Sequence, residues 1–219
     1  FFSTRVLFSA LDEYLIALSN GASVNFLDFQ LKRKGFQERF SVILDQLGID
    51  VALDIVKNLS SVLPTFQVKI LQSLHSKGAL GMKTLKGILQ YNTDFPENQY
   101  PLYMKTSKEF SSSCNQFRGR EKSSYSDYVN RIVFRIVNES LRCLEEGVVE
   151  TPQSVDVGAI YGLGFPRDLL GPCLLVDDMH PRVVIKILER HYEDTKRDGF
   201  LPSNLLTTMA SNDTKFYQK

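Results

Sequence analysis

The adjacent acids Asp177 and Asp178, and the run "AIYGLGFPRDLLGP" at 159–172, hold the residue types that two kinds of chemistry need. Paired carboxylates transfer protons when their surroundings push their pKa values apart. Glycine-rich loops cradle phosphate when backbone N–H groups at a helix N-terminus turn toward the anion. Neither pattern is complete. A dinucleotide fingerprint requires G-x-G-x-x-G between a strand and a helix, whereas Gly162-Leu163-Gly164 is followed by Phe165, Pro166 and Arg167. The preceding "SVDVGAIY" is broken by Asp156 and Gly158 and reads as helix rather than as a buried strand. A helix-to-helix turn is therefore expected: Gly162 and Gly164 end a helix or admit close backbone approach, and Pro166 and Pro172 delay the next one. Neighbouring side chains on a helix or turn diverge, so Asp177 and Asp178 are expected to supply helix N-terminal charge, not a catalytic dyad.

The remaining reactive residue types are scattered. Cys114, Cys143 and Cys173 form no C-x-x-C, and His75, His180 and His191 form no H-E-x-x-H, so neither a disulfide framework nor a metal site is signalled. Cys143 is expected to be a small buried thiol and His191 a packed or half-exposed helix-face residue rather than a catalyst. The 26 Lys and Arg against 25 Asp and Glu give a formal charge of +1 and no electrostatic footprint for nucleic acid. The basic clusters Lys32-Arg33-Lys34 and Arg118, Arg120, Lys122 read as solvated faces. No apolar run reaches the roughly 18 residues of a membrane span. The chain begins Phe1-Phe2-Ser3 and enters an amphipathic pattern at once, as the interior of a longer polypeptide would.

Positioning of these residues falls to an internal repeat. "TRVLFSALDEYLIALSNG" from Thr4 and "NRIVFRIVNESLRCLEEG" from Asn130 align without a gap: Arg5 with Arg131, Phe8 with Phe134, Glu13 with Glu139 and Gly21 with Gly147, each pair 126 residues apart. The stripe Val6, Leu7, Ala10, Leu11, Tyr14, Leu15, Leu18 and its counterpart predict a helix burying one face in each copy. Gly21 and Gly147 supply the left-handed residue that closes it. Each copy then carries an acid before Gly-Phe: Asp28 before Gly35-Phe36, and Asp156 before Gly164-Phe165. Further helical stripes follow at Val51, Ile55, Leu59, Val62 and at Val183, Val184, Ile187, Leu188, His191, with Pro181 in the first turn of the latter. Between the copies, Pro96, Pro101 and Ser111–Ser113 argue for a connector rather than a packed helix. Only 88–91 looks extended. The expected fold is all-α, with repeats at 1–92 and 126–219 joined by a polar connector at 93–125.

These stretches carry a resemblance. "NRIVFRIVNESLRCLEEG", "VDVGAIYGLGFP", Gly171-Pro172 and "LLTTMASNDTKFYQK" are similar to the C-terminal helical domain of 3-hydroxyacyl-CoA dehydrogenases, a fold of the 6-phosphogluconate dehydrogenase C-terminal type. In the first copy "FFSTRVLF", "LDQLGIDVALDIV" and "SKGALGMKTLKGILQY" resemble the same family. The tandem arrangement resembles the multifunctional β-oxidation proteins typified by the mitochondrial trifunctional protein alpha subunit. The resemblance implies NAD-linked oxidation of an L-3-hydroxyacyl-CoA to the 3-ketoacyl-CoA. It assigns the NAD site and the catalytic histidine and glutamate to a preceding Rossmann domain, so this chain would hold no catalytic residue and no cofactor by itself. It also implies a multienzyme complex with a thiolase-type subunit, and a mitochondrial location with a peroxisomal alternative.

Carried over position by position, the resemblance places Thr4 near the substrate carbonyl, where many relatives have asparagine; a plain helix-start role is the equal alternative for its hydroxyl. Arg5, Glu13, Arg131 and Glu139 become interface or ion-pair residues, and Gly35, Gly164 and Pro166 structural ones. The first copy departs from the pattern. Gly35-Phe36-Gln37-Glu38-Arg39 stands where G-F-P-x-G is usual, and Leu85 stands in place of a glycine. Two functions remain open: the C-terminal region of an active dehydrogenase, or a helical assembly module whose substrate cleft has diverged.

Overall fold

The computed structural model describes residues 2–63, 68–92, 104–119, 121 and 123–217. Pro96, Pro101, Arg120 and Lys122 lie outside the described residues. Among those described the fold is all-α, with eleven α-helices and three 3-10 turns: α1 Phe2–Ser19, α2 Val24–Lys34, α3 Phe40–Leu47, α4 Ile49–Asn58, α5 Val68–Ser76, α6 Lys108–Gln116, α7 Tyr125–Glu145, α8 Pro152–Leu163, α9 Pro172–Met179, α10 Pro181–Thr195 and α11 Asn204–Asn212. The extended look of 88–91 corresponds to isolated bridges, Lys86 with Gln90 and Leu89 with Thr106.

Two compact units form. One holds 1–13, 34–37 and 130–219, and the other 14–33 and 38–129. Their boundaries cut through α1 and α7, so the start of the first repeat helix belongs to the unit that contains the second repeat.

The repeat helices end as the glycines require. Gly21 has φ 98° and Gly147 φ 71°, and the N–H groups of Ala22 and Val148 reach back to the Ala17 and Cys143 carbonyls at 3.0 and 2.8 Å, satisfying carbonyls orphaned at the helix end. α7 begins five residues before Asn130 because Ser124 and Asp127 form a reciprocal cap: the Asp127 N–H donates to Ser124 Oγ and the Ser124 N–H to Asp127 Oδ2. Contrary to the one-faced expectation, α1 is buried all round from Phe8 to Ser19 and α7 from Arg131 to Leu141. That is tolerable only because their charged side chains are paired.

Three other expectations are corrected. Ser111–Ser113 is not connector but part of α6: Ser107 caps it by accepting from the Phe110 N–H, Ser113 Oγ donates to the Glu109 carbonyl and lies 2.8 Å from Ser73 Oγ, and Phe110 is buried. Serine is a weak helix former by propensity, and here caps and packing override it. In α4 the buried face is Ile49, Ala52, Leu53 and Val56, while Val51 is exposed, one position away from the stripe read from sequence. Asp177 charges no helix N-terminus. It sits buried in the last turn of α9 and accepts the Phe216 and Tyr217 N–H groups at 2.9 and 2.8 Å, while Asp178 faces solvent.

Asp177 belongs to a device used in both units. Asp45 on α3 accepts the Ile88 and Leu89 N–H groups at 2.8 and 2.9 Å and the Tyr91 hydroxyl at 2.9 Å. Asp156 on α8 accepts the Cys173 and Leu174 N–H groups that open α9, at 2.7 and 3.2 Å, and the Tyr217 hydroxyl at 2.7 Å. Asp28 on α2 accepts the hydroxyls of Tyr14 and Ser41, the latter at the start of α3. Each carboxylate satisfies backbone or hydroxyl donors that would otherwise be buried unpaired. Space is reserved for them by glycine: a Cβ on Gly87 would stand 2.0 Å from Asp45 Oδ1, and one on Gly171, at φ 110°, 2.6 Å from Asp156.

Burial pushes the Asp28 and Asp156 carboxyls above the usual carboxylate range, and Asp45 up to about 6, against the opposing pull of its donors. A carboxyl whose folded-state pKa is raised holds its proton better in the native state, so its contribution to stability is present below about pH 4 and is lost as pH rises through about 6. The Asp45→Asn variant lacks this titration. In urea unfolding from pH 4 to pH 7, the stability gap between wild type and Asp45→Asn is expected to shrink by about 2 kcal/mol; a gap that widens with pH would show that the donors outweigh desolvation.

The matched Arg and Glu of the two repeat helices pair across the copies. Arg5 Nε donates to Glu139 Oε1 at 2.6 Å, with both side chains buried, and the rest of the guanidinium chelates Glu146. Glu139 also meets Arg135 at 3.1 Å and Arg142 at 3.6 Å. Glu13 accepts two bonds from Arg197 at 2.9 Å and interacts electrostatically with Arg131. Thus Arg5 serves the glutamate of the second copy and Glu13 the arginine of the second copy. Glu146 makes the larger share of the hydrogen bonding to Arg5 but is half exposed and screened, whereas Glu139 is fully buried and would be left without that partner if Arg5 were lost. Arg5→Met is expected to lower unfolding free energy by about 3 kcal/mol, with much of it restored in Arg5→Met/Glu139→Gln. A single-variant loss below about 1 kcal/mol in urea unfolding would mean that the pair behaves as a surface bridge.

Candidate functional site

The first turn of α1 is held on three sides. The Phe2 ring lies 3.0 Å from where a Cβ on Gly158 would stand, and Ser3 Oγ 2.7 Å from the equivalent point on Gly162. Gly158 and Gly162, four residues apart on α8, therefore let α1 approach closely, and a Cβ at either would make Phe2 or Ser3 shift. Arg5 is fixed by Glu139 and Glu146, and Val6 is fully buried. Thr4 and Leu7, one turn apart, keep partial exposure on the remaining side. The hydroxyl of Thr4 can offer one donor and two acceptor positions, on a helix turn that cannot rotate away.

The glycine run of 159–172 is a helix end. Gly162 lies within α8 and Gly164 closes it at φ 65°, with the Phe165 N–H reaching the Ala159 carbonyl at 3.1 Å. The two Gly-Phe turns face each other. Gly35, at φ 108°, leaves 3.0 Å between an added Cβ and Pro166 Cβ; Gly164 meets Gln37; and the Phe36 and Phe165 rings meet edge-on with centroids 6.1 Å apart. Gln37, replacing the usual proline in the first copy, fills against Gly164 the place that Pro166 fills against Gly35. Leu85 sits in the left-handed region at φ 56°, where glycine costs nothing and leucine about 1 kcal/mol. Arg39 precedes α3 without a side-chain cap bond.

No set of side chains suited to covalent or acid–base catalysis emerges from the described residues. His75 is exposed on α5 and His191 is packed by Phe134 and Phe200 at 6.2 and 5.3 Å. His180 caps α10, its Nδ1 accepting from the Arg182 N–H and its Nε2 lying 3.0 Å from Asp213. Burial pushes the Cys143 and Cys114 thiols up to about 12, away from the thiolate a nucleophile needs. Cys114 borders an open recess of about 310 Å³ with Leu18, Gly21, Val24, Phe110 and Arg118. The perturbed aspartates are occupied by backbone and hydroxyl donors. Among the described residues, no three His, Cys, Asp or Glu side chains cluster to hold a metal ion, and no helix is long and apolar enough to cross a membrane. The bracing role of the aspartates and the part of Gly158 in the close approach escaped the sequence reading, which assigns close approach to Gly162 and Gly164, although two glycines four apart in a helical stretch signal a close helix contact.

Against known proteins, residues 1–91 and 128–217 match the family model of the 3-hydroxyacyl-CoA dehydrogenase C-terminal domain. The chain is 32% identical over 219 residues to the fatty acid oxidation complex subunit alpha of Shewanella sp. (strain MR-4), covering 99% of this chain and 30% of that protein. The corresponding subunit of Shewanella loihica is 31% identical, covering 100% and 30%. The chain thus spans about 30% of the length of these relatives. Of solved structures, 3-hydroxybutyryl-CoA dehydrogenase from Escherichia coli K12 superposes with a TM-score of 0.74 at 16% identity, covering 97% of this chain and 60% of that one. The dehydrogenase part of multifunctional enzyme 1 from C. elegans gives 0.68 at 18%, covering 93% and 46%. These two likenesses support the fold alone. The expected mitochondrial location, with its peroxisomal alternative, is overturned by the bacterial Shewanella relatives. With both repeats matched, the chain belongs to the 3-hydroxyacyl-CoA dehydrogenase C-terminal domain family.

Proposed function

We propose that this chain is the helical C-terminal part of an NAD-dependent L-3-hydroxyacyl-CoA dehydrogenase within a multifunctional fatty-acid oxidation protein. The observation that carries the reading is Thr4, left partly open on a helix turn where Phe2 is buried against Gly158 and Arg5 is held by Glu139. In this reading its hydroxyl binds the acyl-CoA near the carbonyl, and Arg5, Glu13, Arg131, Glu139, Gly35, Gly164 and Pro166 hold the scaffold. The residues here do not fit NAD, because the glycines of 162–164 lie in and at the end of a helix rather than between a strand and a helix N-terminus. NAD and the catalytic histidine and glutamate are therefore assigned to a Rossmann domain joined to this one. Relatives named as the alpha subunit of a fatty acid oxidation complex support a partner subunit, and the family resemblance makes the thiolase type the proposed one.

The left-handed Leu85 and the uncapped Arg39 favour a second reading, an assembly module with a diverged cleft. NADH oxidation with acetoacetyl-CoA separates the two. The dehydrogenase reading expects turnover by the full-length protein and none by residues 1–219; an inactive full-length protein would favour the assembly module. In the active protein, Thr4→Val should cost about tenfold in kcat/KM, the worth of one hydrogen bond, without changing Tm. Unaltered kinetics in Thr4→Val would remove Thr4 from the substrate site.

A further inference from the structure

Asn20 precedes Gly21, the only place in the 219 residues where glycine follows asparagine. That pair carries chemistry of its own, because a residue without a Cβ lets its backbone nitrogen approach the preceding side chain. The Gly21 nitrogen gives up its proton to water and attacks Asn20 Cγ, the Cγ–Nδ2 bond breaks, and ammonia leaves behind a cyclic succinimide. Water then opens the ring at either carbonyl. The net change is amide plus water to carboxylate plus ammonium, and opening on one side gives an isoaspartate whose Cβ and Cγ have entered the main chain.

The native fold holds both reacting groups off this path. The Gly21 N–H donates to the Leu18 carbonyl at 3.0 Å, and Asn20 Oδ1 accepts the Glu121 N–H at 3.1 Å. The Gly119 N–H donates to the Ser19 carbonyl at 3.1 Å, and a Cβ on Gly119 would stand 1.9 Å from Asn20 Oδ1, so the glycine leaves the room that the amide oxygen occupies. Asn20, Gly119 and Glu121 belong to one compact unit. At the end of α1, Asn20 thus accepts a distant backbone N–H as the buried aspartates do. It differs from them in exposure: Asn20 is half-buried and borders, with Gly21, Glu121, Ser123, Tyr125 and Tyr128, an open recess of about 180 Å³ that water can enter. Helix ends held by a few such bonds open more readily than cores do.

We propose that Asn20 is a modification site, a deamidation site guarded by the contacts to Gly119 and Glu121 and released when the end of α1 opens locally. One opening meets both conditions for attack. Loss of the bond to Leu18 frees the Gly21 nitrogen, and loss of the bond from Glu121 lets the amide turn toward it. The aspartate product keeps an acceptor for the Glu121 N–H. The isoaspartate product does not regain the native helix end, because the longer main chain displaces Gly21, at φ 98°, and Ala22, whose N–H reaches the Ala17 carbonyl. Modification therefore makes a transient opening of α1 permanent.

Peptide mapping of the full-length protein after incubation at neutral pH tests this, with the amide-to-acid mass shift and isoaspartate-specific methylation as readouts. Glu121→Pro has no N–H to offer Asn20 and is expected to deamidate there about fivefold faster than wild type in native buffer, the worth of one hydrogen bond. In urea the two rates should converge, and Gly21→Ala should suppress the reaction in both conditions. Equal native rates for wild type and Glu121→Pro overturn the proposal, as does an Asn20 that stays an amide in urea. A measurement on wild type alone holds even if Glu121→Pro disturbs the fold: in urea below the unfolding transition, deamidation of Asn20 should rise in step with hydrogen exchange of the Gly21 amide. Deamidation that rises only across the global unfolding transition overturns release by local opening.

Discussion

A buried guanidinium must find a carboxylate, and the helix that carries Arg5 finds Glu139 126 residues beyond its own Glu13. Much of the structure depends on that exchange. Because Arg5 reaches Glu139 while Glu13 is taken by Arg197, the start of α1 is bound to α7 and to the segment after α10, and the compact unit around the second repeat includes the first thirteen residues. Leaving either charge alone would cost several kcal/mol, about 3–5 for a broken buried pair. Thr4 inherits its placement from this constraint together with the Gly158 and Gly162 approach.

The buried aspartates do for the loops what the ion pairs do for the helices. Asp45 and Asp177 hold the closing segments at 88–91 and 216–217 by backbone N–H groups, and Asp156 holds the start of α9. The two copies solve the same problem with different donors. Asp156 is joined by Tyr217 from the chain's end, whereas Asp28 takes Tyr14 from α1 and Ser41 from α3. Divergence between the repeats therefore left Asp28 and Asp156 in place while changing the donors around them.

What was legible in the sequence was local or periodic. The 126-residue offset revealed the repeat, Gly21 and Gly147 announced helix ends, and Pro181 marked the first turn of α10. The helix in the serine run was hidden because serine propensity opposes it and only tertiary contacts, Ser73 and the buried Phe110, override that preference. Equivalence between Arg5 and Arg131 did not say which glutamate each would meet, since an offset identifies matching positions and not contacts. Asp45 gave no signal and Asp177 read as helix N-terminal charge, because an aspartate that binds distant N–H groups has the same sequence appearance as one facing water. The stripe in α4 slipped by one position, which places Val51 outside and Ala52 inside.

The central proposal is that the Arg5–Glu139 pair fixes the helix turn that carries Thr4, and that Thr4 meets the substrate in the full-length protein. A double-mutant cycle on kcat/KM of the full-length protein, with Arg5→Met, Thr4→Val and both together, tests it most directly. If the pair positions Thr4, removing the hydroxyl costs almost nothing further once Arg5 is gone, and the two effects are strongly non-additive. Additive losses, with Thr4→Val equally damaging in either background, would contradict the account.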